Sequence, residues 1–157
     1  MSEYQPQLQQ ALSLLRSGDA QKAFQAFRPV LRYPGLVEQP AEFSETLQAF
    51  AEISMQIAGA EFASRLRTAA RTPTDVKQLY RVGYEMIEYG LSDMAATILA
   101  YAHHLEPDNA TVLNELSSAL EREMRYAEAR RFLQLAPRLV QHNFLTCYLL
   151  ALLADVR

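Results

Sequence analysis

Apolar residues recur along this chain at spacings of three and four, and no segment shows the strict alternation that marks a half-buried strand. The pattern predicts nine helices, near 6–16, 20–33, 41–58, 60–71, 73–89, 92–105, 109–123, 126–140 and 143–155. Residue chemistry sets their ends. Pro6, Pro40 and Pro73 suit first turns, where an amide lacks an intrahelical partner in any case. Thr72 and Ser92 are the expected N-caps, and Asp19, Asp75, Asp93 and Asp108 fall at expected helix starts, where capping accounts for them. Gly18, Gly59 and Gly90 separate the helices of successive hairpins, where left-handed backbone is needed. Pro29 and Pro137 lie late in two helices and should kink or shorten the last turn.

A longer period lies over the helical one. A step of 34 residues joins Leu79 to Leu113, Val82 to Leu116, Gly83 to Ser117, Met86 to Leu120, Ala95 to Ala129, Leu99 to Leu133 and Ala102 to Ala136. Large and small positions stay in phase, which shared composition alone would not produce. A step of 72 carries the pattern upstream, from Gly90 to Gly18, Gly83 to Ala11, Ala95 to Ala23, Leu99 to Phe27 and Ala102 to Val30. Two periods make 68, so the intervening repeat holds four extra residues. Within it, Ala51 and Ala63 keep the spacing of 12 seen between Gly83 and Ala95. The insertion falls in Tyr33 to Phe43, where Pro34, Gly35 and Pro40 suit a loop, and a compensating deletion falls near Arg71 to Asp75. The repeats run about 4–37, 38–75 (degenerate), 76–109 and 110–143, with a terminal helix at 144–155, in a single domain.

This period, with small residues where two helices touch, resembles the tetratricopeptide repeat, a helix-turn-helix unit of that length. The resemblance implies an all-α, right-handed superhelical solenoid that works by binding other proteins. It also assigns the small positions Gly83, Ser117 and Ala151, with Ala23, Ala63, Ala95 and Ala129, to close helix approach. Leu79, Val82, Met86, Leu99, Leu113, Leu116, Leu120 and Leu133 then fill the core.

The same resemblance places binding on the concave side of each repeat's first helix, on the stripe opposite the core. In the third repeat that stripe is Lys77, Tyr80, Arg81, Tyr84 and Glu88, and in the fourth Thr111, Asn114, Glu115, Ser118 and Arg122. The terminal helix adds Tyr148, Leu149 and Leu152. Tyr80, Asn114 and Tyr148 are one period apart and should line the groove floor. Tyrosine rings give contact area at small entropic cost and an amide can pair with peptide backbone, so the expected partner is a protein or peptide. Lys77 and Arg81 match two basic positions of the carboxylate-clamp subclass, which captures acidic C-termini. The positions of its first-repeat lysine and asparagine are Leu8 and Leu12 here, so a solvated ion pair with Glu115 is the expectation.

Bulk properties narrow the rest. A net charge of −3, with no basic run, gives no long-range attraction for nucleic acid or anionic lipid. The single Cys147 excludes an internal disulfide, and the N-terminus carries no apolar signal-peptide core, so a cytoplasmic location is expected. No cofactor or metal site is expected. His103 and His104 diverge by about 100° on a helix, and no metalloprotease, phosphate-loop or dinucleotide motif occurs. Cys147 has no adjacent cation to stabilise a thiolate. The chain is read as not an enzyme.

Phe144 to Ala154 is apolar at ten of eleven positions, too short for a membrane span. An all-round apolar last helix calls for a cover: a downstream portion of a longer protein, a partner, or a second copy pairing through Leu149 and Leu152. The expected function is a scaffold or adaptor, as the N-terminal part of a larger protein or alone. The alternative is a small secretion chaperone resembling the type III translocator chaperones.

Overall fold

The computed structural model describes residues 5–31 and 40–135. The described residues are helical, with no strand: α1 (Gln5–Arg16), α2 (Ala20–Leu31), α3 (Pro40–Ile57), α4 (Ala60–Arg71), α5 (Val76–Glu88), α6 (Ser92–Leu105), α7 (Ala110–Arg122) and α8 (Tyr126–Leu135). None is long and apolar enough to cross a membrane. The expected ninth helix lies outside the described residues, as do Pro137, His142, Cys147, Ala151 and most of the proposed insertion. The far end of that insertion, Pro40 to Phe43, forms the first turn of α3. Residue contacts divide the chain into two compact units, Met1–Gln78 and Leu79–Arg157, with the boundary inside α5.

In the first unit α1 packs on α2 and α3 on α4, while α3 also meets both α1 and α2. Its core is aromatic: Phe27 and Phe50 stack at 5.7 Å with planes 12° apart, and Phe43 and Phe62 are fully buried beside Leu8, Leu47 and Leu66. The Ser44 hydroxyl donates to the Ala70 carbonyl, which ties α3 to the end of α4.

In the second unit α6 packs on α7 and α7 on α8. The positions joined by the 34-residue step are buried in phase: Leu79 with Leu113, Val82 with Leu116, Met86 with Leu120, Ala95 with Ala129 and Leu99 with Leu133. The small residues have the expected reason. A β-carbon on Gly83 would lie 2.7 Å from Leu99 Cγ and 2.8 Å from its Cδ2, so α5 and α6 meet as closely as backbone allows. At Ser117 the hydroxyl donates back to the Leu113 carbonyl at 2.9 Å and needs no outside partner. Helix α6 is buried on every face from Ser92 to Leu99, its polar residues Ser92, Asp93 and Thr97 included.

Three hairpins turn on one backbone device. At Gly18 (φ 90°) the Gly18 amide donates to Leu15 and the Asp19 amide to Leu14; at Gly90 (φ 78°) the acceptors are Ile87 and Met86. This paired closure satisfies the last carbonyls of a helix and requires a left-handed residue. The third hairpin closes identically, with Met124 donating to Glu121 and Arg125 to Leu120, but its left-handed residue is Met124 (φ 57°).

Helix starts depart from expectation in three places. Thr72 does not cap α5; its amide and its hydroxyl both donate to the Thr68 carbonyl and finish α4. Pro73 therefore lies in a turn and not in a first helical turn, and Asp75 caps α5 by accepting from the Gln78 amide at 3.3 Å. Ser92 is already helical, because the closure at Gly90 leaves Leu91 as the last residue before α6. Before α7 the cap is Asn109, accepting from the Val112 amide at 3.2 Å, and not Asp108. A side chain caps only from the last non-helical position, and tertiary closure of the preceding hairpin decides which residue that is.

Candidate functional site

The stripe opposite the core of α5 is solvent-facing in the structure. Lys77, Arg81, Tyr84 and Glu88 are exposed and Tyr80 is half-buried. Lys77 belongs by contacts to the first unit and the other four to the second. Tyr80 and Tyr84 are one helical turn apart, and their ring centroids lie 6.3 Å from each other with planes inclined at 35°. The Glu88 carboxylate, one turn along α5, raises the Tyr84 pKa. Tyr84 remains 44% exposed.

Helix α7 brings its own stripe to the same place. Glu115 is half-buried, and its charge raises the pKa of both Tyr80 and Tyr84. Burial pushes the Glu115 carboxyl itself upward, and Arg122, two turns along α7, partly opposes this. The expected ion pair with Lys77 or Arg81 does not form: among the described residues no cation lies within salt-bridge distance of Glu115. Lys77 and Arg81 are exposed, whereas the Glu115 carboxylate is half-buried.

Ser118 is half-buried and Thr111 and Arg122 are exposed on the same helix. Asn114 differs from its expected place on an open floor, since only 5% of its surface is accessible. Residue 114 adjoins the core positions Leu113 and Ser117 closely enough that packing closes over a short side chain, whereas a tyrosine reaches out from the equivalent place. Tyr148, Leu149 and Leu152 lie outside the described residues.

The first unit carries a groove that no sequence motif marks. About 760 Å³ in volume, it lies between α1 and α3 and reaches the end of α4. Leu8 and Leu12 form its apolar floor; Arg16, Glu45, Glu52 and Arg71 stand around it. The signal was present in the two leucines, which stood where polar clamp residues had been sought.

His103 and His104 separate as expected: His104 is exposed, whereas His103 is half-buried with its ring edge against Phe132 at 5.5 Å. Burial, aided by the charge of His104, lowers the His103 pKa, and Nδ1 has no hydrogen-bond partner among the described residues. No group of three or more histidine, cysteine, aspartate or glutamate side chains among the described residues could hold a metal ion. No family model, curated protein or solved structure compared with this chain matches it.

Proposed function

We propose that this chain is a tetratricopeptide-like, right-handed helical solenoid that acts as a protein-interaction module, a scaffold or adaptor binding a peptide or helix along the first helices of its repeats. The observation that carries the reading is the Tyr80–Tyr84 pair, with Tyr84 exposed and Tyr80 half-buried, set on the face of α5 opposite a core that is buried in phase with the 34-residue step. Pre-positioned aromatic rings supply rigid contact area at small entropic cost. Catalysis, metal binding and nucleic-acid binding form no part of this proposal.

Peptide display on the immobilised full chain tests it. Selected peptides should bind by fluorescence anisotropy, and Tyr84→Ala combined with Tyr148→Ala should weaken them about tenfold or more while leaving far-ultraviolet circular dichroism unchanged. Binding indifferent to both tyrosines would defeat the groove assignment. Recovery of no peptide would defeat the function.

A further inference from the structure

We infer that Tyr80, Tyr84 and Glu115 form a receptor for a cationic side chain of the bound partner, an arginine guanidinium. The inference rests on the protein-binding reading and names the chemistry of its ligand. Three observations converge. Two aromatic faces stand 6.3 Å apart at the surface, inclined at 35°, which leaves ring surface open to a planar group. A cation within about 6 Å of a tyrosine centroid is attracted by the ring's negative face. Glu115, whose charge acts on both phenols, is half-buried and has no cation within salt-bridge distance among the described residues. A carboxylate so placed has lost part of its hydration to burial, and Arg122, two turns along α7, offsets only part of that loss, so its pKa is raised.

The charges nearby do not supply that partner from within. Arg81 and Arg122 are exposed, and Arg122 acts on Glu115 only through space. Glu88, which also raises the Tyr84 pKa, adds a second negative charge near Tyr84. Guanidinium fits this arrangement better than ammonium because it stacks flat on an aromatic ring and pairs with a carboxylate through two parallel donors. An acidic peptide terminus, the ligand that Lys77 and Arg81 would favour, would instead meet Glu115 and Glu88.

The test uses the full-length chain and two small probes, N-acetylarginine amide and its neutral analogue N-acetylcitrulline amide. In titrations followed by nuclear magnetic resonance, the arginine probe should shift the ring protons of Tyr80 and Tyr84, and the citrulline probe should bind about tenfold more weakly. Glu115→Gln should remove the difference between the probes, and Tyr84→Leu should weaken the arginine probe about threefold to fivefold. The thermal midpoint of Glu115→Gln should not fall below wild type, because the substitution removes a charge that folding desolvates; a cooperative melt confirms that its lost preference is a lost contact. Equal binding of both probes, or ring protons moved by neither, would overturn the inference. Display-selected peptides that contact these rings yet carry no arginine would overturn it too, while leaving the protein-binding function standing. An empty display experiment would reject that function, and the probe titration would still decide the receptor.

Discussion

At the scale of single residues, Met124 and Gly83 are opposite cases of one constraint. Met124 occupies the left-handed position that glycine fills at Gly18 and Gly90, and its side chain is 75% exposed, so packing offers no compensation. A residue with a β-carbon gives up roughly 1 kcal/mol there. Met124→Gly should therefore stabilise the chain by about 0.5–1 kcal/mol in urea unfolding, with no change in the slope. At Gly83 the backbone is ordinary helix and the limit is space. Gly83→Ala would force a methyl group against Leu99 and should cost about 1–3 kcal/mol in the same measurement. In an open helix that substitution would gain up to about 1 kcal/mol, so its sign reports whether α5 and α6 are in contact.

At the scale of elements, helix ends depend on which residue is last outside the helix. Asp75 holds α5 through the Gln78 amide, and Asp75→Ala should cost about 1 kcal/mol, whereas Thr72→Ala should cost less because Thr72 finishes α4 without capping α5. Parallel urea titrations of the two variants separate the assignments. At the start of α8, Arg125 donates to Glu128 through Nε at 3.0 Å and Nη2 at 2.6 Å, which lowers the Glu128 pKa. That depressed carboxylate contributes stability above its ordinary titration range, and the contribution is lost as pH falls through its folded-state value. His103 acts over a different window. Its pKa is lowered by burial, so the unfolded chain binds the proton more readily, and stability should fall as pH drops below about 6.5. Thermal melts between neutral pH and pH 5 should show this loss, and His103→Leu, which keeps an apolar edge toward Phe132, should flatten it.

At the scale of the whole molecule, the apolar run from Phe144 to Ala154 calls for a cover. Exposed apolar surface forfeits on the order of 25 cal/mol per Å², and two-fold pairing is the commonest symmetric way to hide it. We therefore expect the chain to form a homodimer through Leu149 and Leu152. Light scattering over a concentration series should show the dimer mass, and Leu149→Glu with Leu152→Glu should return it to the monomer without loss of helicity. A wild-type mass that stays monomeric at high concentration would reject the pairing.

The amino-acid sequence by itself determined the eight helices of the described residues and the apolar positions buried between them. Periodicity is local information: the spacing of Leu79, Val82 and Met86 already specifies one face of α5, and its recurrence at Leu113, Leu116 and Leu120 specifies the same face of α7. The step from Gly90 to Met124 was equally legible, since it is one period, although a methionine does not announce left-handed backbone. Other features were decided only by tertiary structure, because they depend on neighbours remote in sequence or on competition between adjacent residues. Asn114 is closed over while Tyr80, one period earlier, reaches solvent, a difference of side-chain length set against the surrounding packing. Thr72 and Asp75 were both chemically fit to cap, and the closure of α4 chose between them. Leu8 and Leu12 became a groove floor only when α3 was laid beside α1. Glu115 was expected to pair with a basic residue of α5, and the packing of α7 half-buries it while Arg81 stays exposed. Charge pairing is written in positions in space, and a repeat period fixes positions only along the chain.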